Sequence, residues 1–189
     1  REVQNFVSAV GDDFAVTMSS SVAVCDYIDP SQSVAPYPIL QPILLASRRS
    51  CHSKGNWYLQ GGDHHYRFSI FSHAPDWRAG RQPATAANHE LRAVVAAEPR
   101  VDAHLPPTHS FASVSAENVV ITAIKKGEDD DSVVVRVVEM EGTDTPASLR
   151  LNFPVRAAAH TNLIEEDAQP LVLDDGGLPV TVGHHAIET

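Results

Sequence analysis

Val119-Val120-Ile121-Thr122-Ala123-Ile124, then Lys125-Lys126-Gly127-Glu128-Asp129-Asp130-Asp131-Ser132, then Val133-Val134-Val135-Arg136-Val137-Val138 is the stretch whose reading decides the fold. Two β-branched runs flank eight charged or turn-forming residues. β-Branched side chains fit a pleated surface, and a polar Gly/Asp connection lets the chain reverse, so this is an antiparallel hairpin. The pattern recurs outward. Residues 149–153, 171–173, 180–182 and 186–187 are short apolar runs, with Asp174-Asp175-Gly176-Gly177 as a further turn.

Towards the N-terminus, residues 5–10 and 14–18 flank Gly11-Asp12-Asp13 and read as another hairpin. Residues 22–28 form a strand closed by Asp29-Pro30, and residues 39–45, bounded by prolines, read as a buried strand. Trp57-Tyr58-Leu59-Gln60 leads into a Gly61-Gly62-Asp63 turn. Residues 66–71 alternate, with Tyr66, Phe68 and Ile70 on one face and Arg67, Ser69 and Phe71 on the other. Residues 88–98 open on a plausible N-cap, Asn88, and allow a short helix; residues 79–89 before them read as a long loop. Many short strands separated by Gly, Pro and Asp turns predict an all-β chain of sandwich type. Pro99, Pro106 and Pro107 cannot sit in a central strand because proline donates no backbone hydrogen bond. They set an expected boundary between residues 1–105, part of a larger β-sandwich, and residues 106–189, a small Ig-like one.

The chain has 189 residues, 43% hydrophobic and 20% charged, with a formal net charge of −10. This acidity argues against a nucleic-acid or anionic-membrane surface, since both need basic patches. Two cysteines, Cys25 and Cys51, exclude a disulfide scaffold; they read as free thiols, and whether they pair is open. The longest apolar stretches are too short to span a bilayer. Residues 1–5 do not read as a signal peptide, and the last residues read as a strand cut short, so both ends are expected to be cuts within a longer protein.

No self-contained reaction centre emerges. His64-His65 and His184-His185 are adjacent pairs whose side chains would point to opposite faces of a strand, so neither clamps one ion. Cys25 with Cys51-His52 makes at most a weak metal site, and Asp129-Asp130-Asp131 is contiguous where a calcium loop alternates its acids. Ser72, His73 and Asp76 are too close in sequence for a catalytic triad, which joins distant segments. Asp13, Asp26, Asp63 and Asp76 offer no spacing that selects a glycosidase pair. Trp57, Tyr58 and Trp77 lie in or beside expected loops, where a ring can stack on a sugar or plug a sandwich edge.

Two groups of strings carry a resemblance. The first is His109-Ser110-Phe111-Ala112-Ser113-Val114, then Asn118 through Asp129, then Val134-Val135-Arg136-Val137-Val138-Glu139 to Gly142, followed by Asn162-Leu163-Ile164-Glu165. The second is residues 44–50, Gly62-Asp63-His64, residues 66–70 and His73-Ala74-Pro75-Asp76-Trp77, where the proline precedes the aspartate instead of the histidine. In order and spacing these resemble the C-terminal β region of family 38 α-mannosidases, over residues 38–189 and more weakly over 1–37. The resemblance implies a retaining parent enzyme acting on terminal α-mannosides through a covalent glycosyl-enzyme intermediate. It also implies zinc and an aspartate nucleophile in an N-terminal catalytic domain, which would be this chain's partner. None of that domain's motifs occurs here, so no catalytic residue, metal ligand or cofactor is assigned within the chain. The candidate substrate contacts are Trp57, Trp77, Asp76 and His73. A carbohydrate-binding or protein-interaction module using the same tryptophans is the competing expectation.

Overall fold

In a computed structural model the chain is described at residues 2–189 other than 4, 21, 23, 30, 32, 33, 46, 47, 50–53, 56, 90, 96–101, 175 and 176, with only the backbone of Arg48. It divides into two units, Arg1–Ala97 and Glu98–Thr189.

In the first unit, β1 (Phe6–Val10) and β2 (Ala15–Ser20) form the hairpin expected around Gly11, closed by the Gly11 amide donating to the Phe14 carbonyl. β7 (Phe68–His73) pairs on the other side of β2, giving the order β1-β2-β7. β3 (Cys25–Ile28) pairs with β4 (Ile39–Pro42), and β5 (Arg48–Arg49) with β6 (Trp57–Tyr58). The run at 39–45 is not a buried strand. It pairs only to Pro42, with β3 alone, and Leu44 and Leu45 are exposed. The expected strand at 66–71 begins two residues later, at Phe68.

The largest departure is α1 (Trp77–Asn88), an α-helix where a loop was expected, while residues 91–95, where the sequence allowed a short helix and Val94-Val95 argued for a strand, carry no regular structure. Asp76 makes the helix possible. Its extended backbone precedes the first turn, and its side chain accepts a hydrogen bond from the Arg78 amide at 3.0 Å. Pro83 lies inside the helix and can donate no intrahelical bond. Packing compensates: Gly80 and Ala84, one turn apart, are both buried, and the Ala84 carbonyl accepts from the Ser19 hydroxyl of β2 at 2.9 Å.

The second unit is a small sandwich. One sheet has the order β15-β10-β9, from β9 (Val119–Lys126), β10 (Val133–Glu139) and β15 (Ile187–Glu188). The other has the order β14-β11-β8, from β8 (Ala112–Val114), β11 (Thr145–Leu151) and β14 (Leu178–Val182). Val119 and Val137 of the first sheet meet Val182 of the second, with Val114, Ile121, Ala147 and Val180 around them, so side chains of alternate residues build the core between two layers. β12 (Ala158–His160) and β13 (Gln169–Leu171) form a separate ladder. The β9–β10 hairpin falls where the sequence places it. Its tip is closed by the Gly127 amide on the Ser132 carbonyl, and Asp130 accepts from the Ser132 amide at 2.8 Å. Asp131 pairs with Lys126, so these acids act as turn and surface groups.

Candidate functional site

Three of the four expected contact residues, His73, Asp76 and Trp77, meet where β7 turns into α1. His73 ends β7 on the face that carries the helix, because it shares a register position with Ala15 and strand residues alternate. Its Nδ1 lies 2.9 Å from the Ala74 carbonyl, which can only accept, so Nδ1 carries the proton there. Its Nε2 shares a hydrogen bond with the Thr17 hydroxyl at 2.7 Å, and Thr17 Oγ1 another with Ser8 Oγ at 2.6 Å. The chain Ser8 to Thr17 to His73 runs under the helix at Gly80. Ser72, one residue along, points to the opposite face and is exposed, so no Ser72-His73-Asp76 triad assembles.

Asp76 is committed to the helix cap. The Arg78 amide hydrogen bond holds its carboxyl below the usual carboxylate range, burial opposes this, and the Arg78 guanidinium adds a 3.2 Å contact that also lowers it. That guanidinium also stands 5.3 Å from the Trp77 ring centroid, a cation–π arrangement on a half-buried ring. Trp57 lies on the separate β5–β6 ladder. It is 63% exposed, with the Arg49 guanidinium 5.4 Å from its ring centroid. Tyr58 is equally open beside it.

Cys25 is buried, and burial pushes its thiol up. Its pairing with Cys51 falls outside the described residues. His64 lies against Tyr66, and His184 gives its backbone amide to Asp144 at 2.8 Å. Among the described residues no three His, Cys, Asp or Glu side chains gather closely enough to hold a metal ion.

The strongest polar constellation went unread in the sequence. Glu139, at the end of β10, is 1% exposed and points into the sandwich beside Val137. Its Oε1 accepts from the Glu141 amide at 2.7 Å and Asn118 Nδ2 at 2.8 Å. Its Oε2 accepts from the amides of Gly142 at 2.7 Å, Thr143 at 3.1 Å and His185 at 3.0 Å. Burial pushes the carboxyl up. The His185, Glu141 and Thr143 amides and the Asn118 side chain outweigh that and bring it down to about 2. Gly142 and His185 both adopt positive φ, 74° and 52°, which aims their amides inward. The signal available was a glutamate at an inward position of a strand, three residues before a glycine. With every lone-pair direction taken, Glu139 is an anchor joining β10 to two turns and has no capacity left for acid–base work.

Beside it, between the sheets, runs a cleft of about 630 Å³, lined by Val133, Val135, Val137, Leu151, Phe153 and Leu171 among others. His160 and Glu188 stand at its edge, Nε2 to Oε2 2.6 Å apart.

Residues 118–189 match the family described as glycosyl hydrolases family 38 C-terminal beta sandwich domain. No curated protein matches the chain. The crystal structure of an α-mannosidase from Enterococcus faecalis V583 is similar over 100% of this chain and 20% of its own, with a TM-score of 0.69 and 18% identity. A protein of glycosyl hydrolase family 38 from Enterococcus faecalis is similar over 99% of this chain and 22% of its own, with a TM-score of 0.68 and 18% identity. At that identity the likeness is one of fold, and the chain spans about a fifth of the length of these structures. Residues 118–189 therefore match the family 38 C-terminal β-sandwich domain, and the chain over its whole length has the fold of part of these two structures.

Proposed function

We propose that this chain is the C-terminal β portion of a family 38 α-mannosidase-like glycoside hydrolase, structural and cleft-completing, with hydrolysis carried out by an N-terminal catalytic domain. The observation that carries this reading is the family match at residues 118–189, joined to a fold likeness that takes in the whole chain but only a fifth of an α-mannosidase. The parent reaction would be hydrolysis of terminal α-mannosides with retention, through a covalent intermediate on an aspartate. In this reading zinc belongs to the catalytic domain, as the family resemblance implies. The carboxylates of Glu139 and Asp76 are both spent on backbone amides.

The test is release of p-nitrophenol from p-nitrophenyl α-mannoside, with zinc added, by this chain and by the full-length parent side by side. Turnover by the parent and none by the chain is the expected pair of results. Zinc-dependent turnover by the chain alone would overturn the reading.

A second reading, glycan binding through Trp57, is favoured by that ring's exposure beside Tyr58. Trp57→Ala is then expected to weaken binding of a mannose oligosaccharide about tenfold in calorimetry. Stability should change by less than about 0.5 kcal/mol, since the ring is largely in water. Unaltered binding, or none in the unmodified chain, removes this reading. In this reading His73 and Asp76 carry less weight, since Thr17 holds the one and the helix cap the other.

A further inference from the structure

Residues 162–167 form a tight loop between β12 and β13. Asn162 ties the loop from within. Its Oδ1 accepts from the Ile164 amide at 3.0 Å and the Glu166 amide at 2.9 Å, and its Nδ2 donates to Asp167 at 3.1 Å. Its own amide donates to the Glu166 carbonyl at 3.0 Å, and its carbonyl accepts from the Glu165 amide at 3.0 Å. The β9–β10 hairpin holds the loop from outside. Glu165, its side chain only 15% exposed, takes the Lys125 ammonium on one carboxylate oxygen and the Glu128 amide at 3.0 Å on the other. The Arg136 guanidinium donates to the Leu163 carbonyl. Glu165 and Asp167 adopt φ of 68° and 57°, a left-handed backbone that residues with side chains keep only where the surroundings hold it. The tip so fixed presents two apolar side chains to water, Leu163 at 51% exposure and Ile164 at 72%. Because the tip is already ordered, little conformational freedom is lost when a partner covers it.

The surroundings are acidic. Glu166 and Asp167 are exposed beside the apolar pair, and the hairpin tip, joined to the loop at Glu128, adds the exposed Asp129, Asp130 and Asp131. Residues 98–189 hold sixteen Asp and Glu against six Lys and Arg, whereas residues 1–97 hold eight of each, so the whole net charge of −10 belongs to the second unit. We propose that Leu163 and Ile164 are a preformed anchor that seats in the N-terminal catalytic domain of the parent enzyme, in an apolar pocket rimmed by arginine or lysine. The apolar pair supplies the buried centre of the contact, and the carboxylates around it select a basic rim. The catalytic domain is the occupant because the fold likeness takes in this whole chain but only 20% of an α-mannosidase. The rest of such a protein is a large surface tethered to this loop at high effective concentration. The assignment rests on reading the chain as the β portion of a family 38 enzyme.

The test compares Ile164→Cys in this chain and in the full-length parent, labelled with N-ethylmaleimide and read by mass spectrometry of the peptide that carries position 164. That side chain is largely in water in the chain, so the substitution should leave its melting temperature nearly unchanged. Leu163→Cys repeats the comparison at the neighbouring position. Labelling is expected to be at least about tenfold slower in the parent than in the chain. Glu166→Lys, added to the parent variant, should speed its labelling about threefold by setting like charges against the basic rim. Equal rates in chain and parent overturn the anchor. Protection that fades as the parent is diluted assigns the loop to a second copy and overturns the catalytic domain as occupant. Protection that Glu166→Lys leaves unchanged overturns the basic rim. Turnover of p-nitrophenyl α-mannoside is read on the same parent. Turnover without protection removes the anchor alone, whereas undiminished protection without turnover removes the glycosidase reading and leaves the contact standing.

Discussion

Glu139→Gln is expected to destabilise the second unit nearly as much as Glu139→Ala, although glutamine has the shape of glutamate. Each carboxylate oxygen accepts at least two N–H groups, the Glu141 amide and Asn118 on one side and the Gly142, Thr143 and His185 amides on the other. Whichever way the glutamine amide is turned, its own N–H groups face donors, and buried donors without an acceptor cost the full desolvation of each. The melting temperature of the unit should fall by about 10 °C or more in both variants, read by circular dichroism. A loss of only a degree or two in the glutamine variant would show that the charge is not what the five donors require.

The same residue sets an acid limb. Its carboxyl sits at about 2 in the folded chain against an ordinary value of 4.5, so folding favours the ionised form. That contribution is fully present above pH ~4.5 and is lost progressively as pH falls towards ~2. In the unmodified chain the melting temperature should therefore drop through this window. In Glu139→Gln, already lower at neutral pH, this part of the drop should be absent. Parallel curves for the two proteins would remove Glu139 as the cause.

Gly80→Ala should destabilise the first unit by about 2 kcal/mol, reversing the sign normal for glycine to alanine within a helix. A Cβ at position 80 would come within 2.1 Å of Thr17 Oγ1, 2.5 Å of His73 Nε2 and 2.9 Å of Thr17 Cβ. The helix must then lift from β2 or the Thr17–His73 hydrogen bond must open. Gly61→Ala is the control, since nothing lies within 4 Å of its Cβ position. Adding Thr17→Ala to Gly80→Ala should cost less than the sum of the two single changes, because the first removes the nearest atom that the second would meet. Simple additivity in urea unfolding, or a stabilised Gly80→Ala, would mean the helix does not rest on Thr17.

The comparison of sequence with structure follows the range over which the forces act. The β1–β2 and β9–β10 hairpins were legible because β-branched runs and Gly/Asp turns act between neighbours, within about twenty residues. The fold class and the strings around residues 118–142 and 162–165 followed from the same local order, and so did the family resemblance. The helix at Trp77–Asn88 was not legible. Gly80 and Pro83 both disfavour a helix, and what overrides them is the fit of Gly80 and Ala84 against β2, more than sixty residues back.

The site divides in the same way. The sequence singled out His73, Asp76, Trp77 and Trp57 by residue type, and it read Ser72, His73 and Asp76 as too close together for a triad. Only the tertiary structure decided that His73 would be held by Thr17, that Asp76 would cap a helix, and that Glu139 would be buried among five N–H donors. Hydrogen bonds to Glu139 come from residues as far apart as Asn118 and His185. A charge buried among donors from three separate segments leaves no periodic trace, because its stability comes from the closure of the fold around it and not from the residues beside it.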